Sequence, residues 1–175
     1  MEIEAPRVDE ENVKAALRAE GASAEQAAET LAELKAQRVS SRWPEALVVG
    51  ADQMLECGGV WFDKPPDRAH AAGHLRALSG QEHRLVCAVC VVHRGARIWH
   101  HMDQARLVMR PLSDDFIAAY LEAAGETVLS TVGAYRLEDL GAQLFSRVEG
   151  DHFTILGLPL LPLLGFLRDR GVLVP

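Results

Sequence analysis

The sequence predicts an α/β fold in which helices flank a twisted, mixed sheet that contains antiparallel hairpins. Segments with apolar residues at helical spacing alternate along the chain with short apolar runs that are typical of strands. Two long stretches, residues 83–93 and 98–109, are joined by Arg94-Gly95, which predicts an antiparallel hairpin. Of the 175 residues 49% are hydrophobic and 25% are charged, a balance that supports a packed core. This length predicts a single domain over residues 1–175.

The N-terminal third is predicted to contain one long helix and one short strand. Pro6 and the polar composition argue against a long helix in residues 1–12. Ser23, followed three residues later by Gln26, is a capping signal, and the apolar spacing after it predicts a helix to about residue 41. A short buried strand over residues 47–50 follows, and Asp52 is expected just past its carboxyl end.

The remaining elements follow from turn and capping residues. Residues 54–62 are predicted to form a hairpin that turns at Gly58-Gly59. Asp67 and Ser113 are expected N-caps of two further helices. Later strands are predicted over residues 131–135 and 143–148, and a leucine-rich helix is predicted from about residue 160.

Charge and hydropathy exclude several classes of protein. Eighteen basic against 25 acidic residues give a net charge of −7, so the basic footprint of a nucleic-acid-binding protein is absent. An uninterrupted apolar run of about 18 residues, which a membrane span requires, is also absent from the sequence. The start Met1-Glu2-Ile3-Glu4 is unlike a secretory signal, and three cysteines cannot form a disulfide framework. We therefore expect a cytoplasmic protein.

Candidate functional residues have two interpretations each when they are considered alone. Asp52 either caps a turn or belongs to a ligand site, because ligands of open α/β sheets collect at the carboxyl ends of strands. Lys64 is either a solvated surface residue or a contact for phosphate oxygens. The acidic run at residues 9–11 is either a solvated face or a source of ligands for Mg²⁺. Lysine is scarce, with three residues (Lys14, Lys35 and Lys64) against fifteen arginines.

Two possible metal or redox motifs are better explained as ordinary strand residues. Cys87 and Cys90 lie three apart on a predicted strand, so their side chains point to opposite faces. His100 and His101 are adjacent on the next strand, and their side chains diverge for the same reason. Neither pair predicts a metal site.

The order and spacing of several short motifs resemble the Maf family of nucleoside triphosphate pyrophosphatases, almost from end to end. The motifs are Val8–Glu10, Leu31–Ala36, Val49–Gln53, Asp63–Pro65, Leu78–His83, Gly133–Tyr135, Leu140–Ala142 and Gly150–Leu160. The resemblance implies a fold similar to that of the Maf proteins and inosine triphosphate pyrophosphatases. It also implies hydrolysis between the α- and β-phosphates of a nucleoside triphosphate, with Mg²⁺ or Mn²⁺ as the divalent cation.

The resemblance also implies roles for individual residues. Asp52 matches the catalytic aspartate that accepts a proton, and Lys35 and Lys64 match substrate-binding residues. Glu10 and Asp52 are the implied metal ligands, since carboxylates cannot bind a triphosphate without a cation between them.

Two matched positions bear on the base of the nucleotide. Gln53 and Glu138 match positions associated with substrate choice, and this pair is similar to that of the subgroup preferring 7-methyl-GTP. A carboxylate accepts hydrogen bonds from guanine N1–H and N2–H₂ and favours the cationic methylated ring. Asp139 replaces the glycine that is usual after this glutamate. The alternatives are a dTTP/UTP pyrophosphatase and a non-catalytic nucleotide-binding or cell-division regulatory protein, and a homodimer is compatible with the family.

The start of the chain departs from the family pattern. Family members open with a strand and a Ser-x-Ser-Pro-Arg-Arg turn, which Ala5-Pro6-Arg7 does not match. The expectation is an N-terminally truncated domain, either through a start site assigned too late or as a genuine shortened relative. Because that turn supplies donors to the phosphates, we expect weak or no activity from the 175 residues alone, and restored activity once upstream residues are added.

Overall fold

The structure is a computed structural model that describes residues 2–174, and it confirms the predicted α/β class. Five strands and six α-helices lie within this range, with short 3₁₀ segments between α4 and β5. The elements are α1 (Glu10–Ala19), α2 (Ala24–Ser40), β1 (Val48–Cys57), β2 (Val60–Phe62), α3 (Arg68–Leu78), β3 (Glu82–His93), β4 (Ala96–Met109), α4 (Asp114–Ala124), β5 (Phe145–Glu149), α5 (His152–Ile155) and α6 (Leu160–Asp169).

The strands form one five-stranded sheet in the order β2-β1-β3-β4-β5. β1 and β2 pair antiparallel with Leu55 opposite Phe62, and the turn between them lies at the predicted glycine pair. β4 and β5 also pair antiparallel, with Leu107 opposite Val148. Arg94-Gly95 joins β3 to β4 as a two-residue turn, as predicted, with both residues at positive φ.

Two local predictions were wrong, each for a physical reason. Asp52 lies within β1 and not past its end, because the alternation of buried and exposed residues continues beyond the apolar run at residues 47–50. Residues 131–135 form no strand, since Gly133 has φ +75° and the chain turns through a short 3₁₀ segment. Helix α1 was not predicted, although Asp9 caps it and Val13 and Leu17 stand at helical spacing.

The described residues divide into two compact units. One comprises the residues up to Gln53, together with Val86–Asp103 and those from Gly157 onward. Within it, Val89 and Val91 of β3 pack with Leu163 of α6. We call this the first unit. The expectation of a single domain over residues 1–175 stays a prediction.

The second unit comprises Met54–Leu85 and Gln104–Leu156. Its larger apolar core brings together side chains from α3, β3, β4, α4 and the 3₁₀ segments, among them Leu75, Leu85, Leu107 and Ile117. In the part of the chain that the structure covers, every helix is too short or too polar to cross a membrane.

Candidate active site

Helix α2 approaches strand β1 closely enough to bring a lysine beside an aspartate. The helix begins at a capping box in which Ser23 Oγ accepts from the Gln26 backbone and Gln26 Oε1 accepts from the Ser23 backbone. Gly50 of β1 faces this helix, and a Cβ atom at Gly50 would lie 2.8 Å from Ala36 Cβ and 2.9 Å from Ala36 N. Glycine therefore sets how closely β1 packs against the turn of α2 that carries Lys35.

Two carboxylates of the first unit meet at the Lys35 ammonium. Lys35 Nζ lies 2.5 Å from Asp52 Oδ1 and 2.9 Å from Glu10 Oε1. The Asp52 side chain is 6% exposed and that of Lys35 is 17% exposed, whereas Glu10 is 41% exposed. Two carboxylates thus converge on one cation, with the aspartate at the buried side and the glutamate towards solvent.

Lys14 is the fourth charged residue of this group, and sequence reasoning missed it. It lies on α1 one turn after Glu10, is buried at 8% exposure, and its charge lowers the pKa of Asp52. The signal was available, since Lys14 is one of three lysines and lies four residues after Glu10, on the same face of a helix. We call Glu10, Lys14, Lys35 and Asp52 the charge cluster.

Burial and charge act in opposite directions on the two central groups. Burial raises the pKa of Asp52, and the attraction of Lys35 and Lys14 offsets this only in part. Burial also lowers the pKa of Lys35, but the charges and hydrogen bonds of Asp52 and Glu10 outweigh it and raise the pKa above its usual value. Lys35 is therefore a permanent cation, while Asp52 is a stronger base than an exposed aspartate.

Asp52 has one carboxylate oxygen that the surrounding protein leaves without a hydrogen bond. Its Oδ2 atom is buried and has no partner, while Oδ1 accepts from Lys35. A buried, unsatisfied acceptor is costly, so its presence indicates a position that a ligand or an attacking water satisfies. Gln53, the next residue of β1, hydrogen-bonds through its side chain with Cys87 on β3.

The charge cluster contains two carboxylates of the kind that bind hard divalent cations. Glu10 Oε1 and Asp52 Oδ1 both contact the Lys35 ammonium, and Asp52 Oδ2 is left without a partner. Mg²⁺ is usually bound in this way, by one or two carboxylates together with substrate phosphates and water. No group of three or more histidine, cysteine, aspartate or glutamate side chains suited to a metal occurs among residues 2–174, and a site made by protein ligands alone is not found there.

Two other predicted site residues, Lys64 and Glu138, lie in the second unit. Lys64 is exposed in the segment between β2 and α3. Glu138 is on an exposed turn after the second 3₁₀ segment, and its Oε1 accepts a hydrogen bond from Arg136 Nε at 2.9 Å. The structure therefore brings Glu10, Lys35 and Asp52 together, while the roles predicted for Lys64, Gln53 and Glu138 stay predictions.

Comparisons with known proteins agree with the resemblance read from the motifs. A family model described as "Maf-like protein" matches residues 1–170. The chain is 57% identical to a "Nucleoside triphosphate pyrophosphatase" of Paramagnetospirillum magneticum, over 99% of this chain and 89% of that protein. It is 54% identical to a "7-methyl-GTP pyrophosphatase" of Rhizobium etli, over 95% of this chain and 83% of the relative. On this evidence the chain belongs to the family of Maf-like proteins.

Proposed function

We propose that this protein is a nucleoside triphosphate pyrophosphatase, which hydrolyses the bond between the α- and β-phosphates to release a monophosphate and pyrophosphate. The observation that carries the proposal is the buried Asp52 carboxylate, with Oδ1 held by Lys35 at 2.5 Å and Oδ2 left without a partner. The names of relatives more than 50% identical to this chain support the same reaction.

In this reaction Asp52 acts as the general base. Its Oδ2 atom accepts a proton from the water that attacks phosphorus, while the contact of Oδ1 with Lys35 fixes the orientation of the carboxylate. Burial raises the pKa of Asp52, and this makes the carboxylate a better acceptor than an exposed one. The oxygen–phosphorus bond to the leaving pyrophosphate breaks as the bond from water forms.

Positive charge is needed because a triphosphate must bind to a protein that carries a net charge of −7. A divalent cation, when bound by Glu10 and Asp52, neutralises charge on the phosphate oxygens. Lys35 remains charged and offsets the two carboxylates. We assign Lys64, exposed on its loop, to the phosphates as a mobile point charge.

A guanine-type base is the substrate class that the available residues favour, with 7-methyl-GTP as its modified member. The Glu138 carboxylate accepts from N1–H and N2–H₂ of guanine, and one relative bears the name 7-methyl-GTP pyrophosphatase. Gln53 is the second residue that we assign to base choice. We infer action on the free nucleotide, without a nucleic acid or a membrane as partner.

The test is pyrophosphate release from a panel of 7-methyl-GTP, GTP, dTTP and UTP with Mg²⁺ or Mn²⁺. Asp52→Asn keeps the shape of the side chain but removes the base, so kcat is expected to fall by about 10²- to 10⁴-fold. Nucleotide binding, measured by calorimetry, is expected to persist. Asp115→Asn, an exposed aspartate in the first turn of α4, is the control that keeps full turnover.

The same experiment separates the enzyme from a non-catalytic regulator. Binding of nucleotide without any pyrophosphate release under either metal would favour the regulator, provided that release is also absent after the family's N-terminal strand and Ser-x-Ser-Pro-Arg-Arg turn are added to the chain. Turnover that survives in Asp52→Asn would remove Asp52 from the role of base.

A further inference from the structure

Arg136 and Glu138 lie side by side on an exposed turn of the second unit. Arg136 Nε donates to Glu138 Oε1 at 2.9 Å, and the side chains are 41% and 37% exposed. An ion pair with this exposure contributes roughly 0–1 kcal/mol to stability, so a ligand that exchanges partners with it costs the fold little. A paired but accessible charge is therefore available to a ligand.

The backbone that carries this pair is fixed on both sides. Tyr135 is buried, and its hydroxyl lies 2.8 Å from His83 Nε2. The Asp139 N–H donates to the Arg136 carbonyl at 3.2 Å and closes the turn. Gly141 passes so close that a Cβ atom there would lie 2.8 Å from Arg136 N. The Arg136 and Glu138 side chains therefore project from a well-determined turn and not from a loose loop.

The pair offers donors and an acceptor next to each other. The contact uses Arg136 Nε and Glu138 Oε1, which leaves the terminal guanidinium N–H groups and Glu138 Oε2 for a ligand. Guanine has the complementary order along one edge, where the O6 acceptor is followed by the N1–H and N2–H₂ donors. Adenine has a donor at position 6 and an acceptor at N1, the reverse of guanine, and uracil has an acceptor, O2, in place of the amino group.

We propose that Arg136 is a base-reading residue, whose guanidinium donates to O6 of a guanine-type base while Glu138 accepts from N1–H and N2–H₂. This inference rests on the proposed function, which supplies the nucleotide, and it adds a specificity residue that acts together with Glu138. Methylation at N7 makes the ring cationic and its N1–H more acidic but keeps the order of O6, N1 and N2 along this edge, so the same pair serves guanine and N1-protonated 7-methylguanine nucleotides.

The experiment measures the binding of three nucleoside monophosphates by calorimetry, so it does not depend on turnover. GMP, 6-thio-GMP and IMP differ at one position each, since the thio compound replaces the O6 acceptor with a weak one and IMP lacks the amino group. The unmodified protein is expected to bind GMP about tenfold more tightly than either analogue, the value of one charge-assisted hydrogen bond.

The variant Arg136→Met removes the guanidinium donors, so GMP and 6-thio-GMP are expected to bind it equally while IMP still binds more weakly. Arg136→Lys restores a donor and is expected to recover part of the preference for GMP. Arg76→Met is the matched control, because Arg76 forms an exposed ion pair with Asp114 at 2.6 Å in the same unit. It is expected to bind all three nucleotides as the unmodified protein does.

The inference is overturned if Arg136→Met keeps the tenfold preference for GMP over 6-thio-GMP, or if the unmodified protein binds none of the three. Its failure is distinguishable from failure of the proposed function. Pyrophosphate release from 7-methyl-GTP or GTP without discrimination at O6 would leave the enzyme in place and remove only the role of Arg136.

Discussion

Replacing Gly50 with alanine tests whether the close packing of α2 on β1 builds the catalytic pair. The added methyl group would lie 2.8 Å from Ala36 Cβ and 2.9 Å from Ala36 N. The backbone of α2 cannot rotate away as a side chain does, so the helix and the strand must separate by several tenths of an ångström. Because Lys35 precedes Ala36, the same displacement lengthens the 2.5 Å contact with Asp52.

The cost follows from known overpacking effects. An extra methyl group in a packed interior destabilises by about 1–3 kcal/mol, which lowers Tm by roughly 2–12 °C in a chain of this size. Turnover is expected to fall further than the population of folded protein does, since the orientation of the Asp52 carboxylate depends on the contact with Lys35. Thermal denaturation and pyrophosphate release, measured on the same preparation, separate the two effects.

Gly165 provides a control with the same chemical change in the same unit. It lies within α6, and a Cβ atom there meets nothing within 4 Å. Alanine is therefore expected to stabilise this helix by about 0.5–1 kcal/mol and to leave turnover unaltered. If Gly50→Ala and Gly165→Ala have the same Tm and the same turnover, the claim that Gly50 sets the geometry of the site is wrong.

Three further predictions concern charge, capping and pH. Lys35→Met leaves the buried Asp52 carboxylate without its partner, so it is expected to lower the free energy of unfolding by about 3 kcal/mol in urea denaturation. The double variant Lys35→Met/Asp52→Leu is expected to lose much less, and an equal loss in the single and double variants would contradict this. Asp9→Ala removes the cap of α1 that accepts from Asn12 N at 3.2 Å, so the free energy of unfolding is expected to fall by about 1 kcal/mol. Turnover is also expected to depend more weakly on Mg²⁺, and an unchanged metal dependence would count against this prediction. Burial lowers the pKa of His83 from 6.5 to about 4. Because the unfolded chain takes up the proton first, the free energy of unfolding is expected to fall by about 3 kcal/mol as pH decreases through that interval. A His83→Gln variant whose stability has the same dependence on pH would exclude this.

Residue patterns predicted most of the elements of the fold, because each has a local signal. The capping box at Ser23, the turn at Arg94-Gly95 and the valine-rich apolar run of β3 depend on neighbouring residues alone. Helix α1 was missed although it has local signals, since Asp9 caps it and Val13, Ala16 and Leu17 stand at helical spacing; the polar, acidic composition of residues 1–12 obscured them.

The candidate site was predictable as a set of residues but not as a geometry. Motif order selected Glu10, Lys35 and Asp52, which lie far apart in sequence, and the structure joins them at one ammonium. The sequence could not predict that Asp52 Oδ2 lacks a hydrogen-bond partner, because this depends on which donors the neighbouring elements place near it. The pairing of Arg136 with Glu138 was equally hidden, because a separation of two residues gives contact only in a turn of the right shape.

The placement of Asp52 inside β1 explains why a buried carboxylate is compatible with a folded protein. A residue past the end of a strand would be hydrated and free to rotate, whereas Asp52 is followed and preceded by strand residues that fix its backbone. The free energy lost by desolvating Asp52 is offset in part by Lys35 and Lys14, which are held by two different helices. A base at this position, the role that we propose for Asp52, is oriented before the substrate binds, so little reorganisation is left for the reaction itself. The same arrangement makes the site dependent on α1, because loss of this helix would remove Glu10 and Lys14 together and leave Lys35 as the single compensating charge.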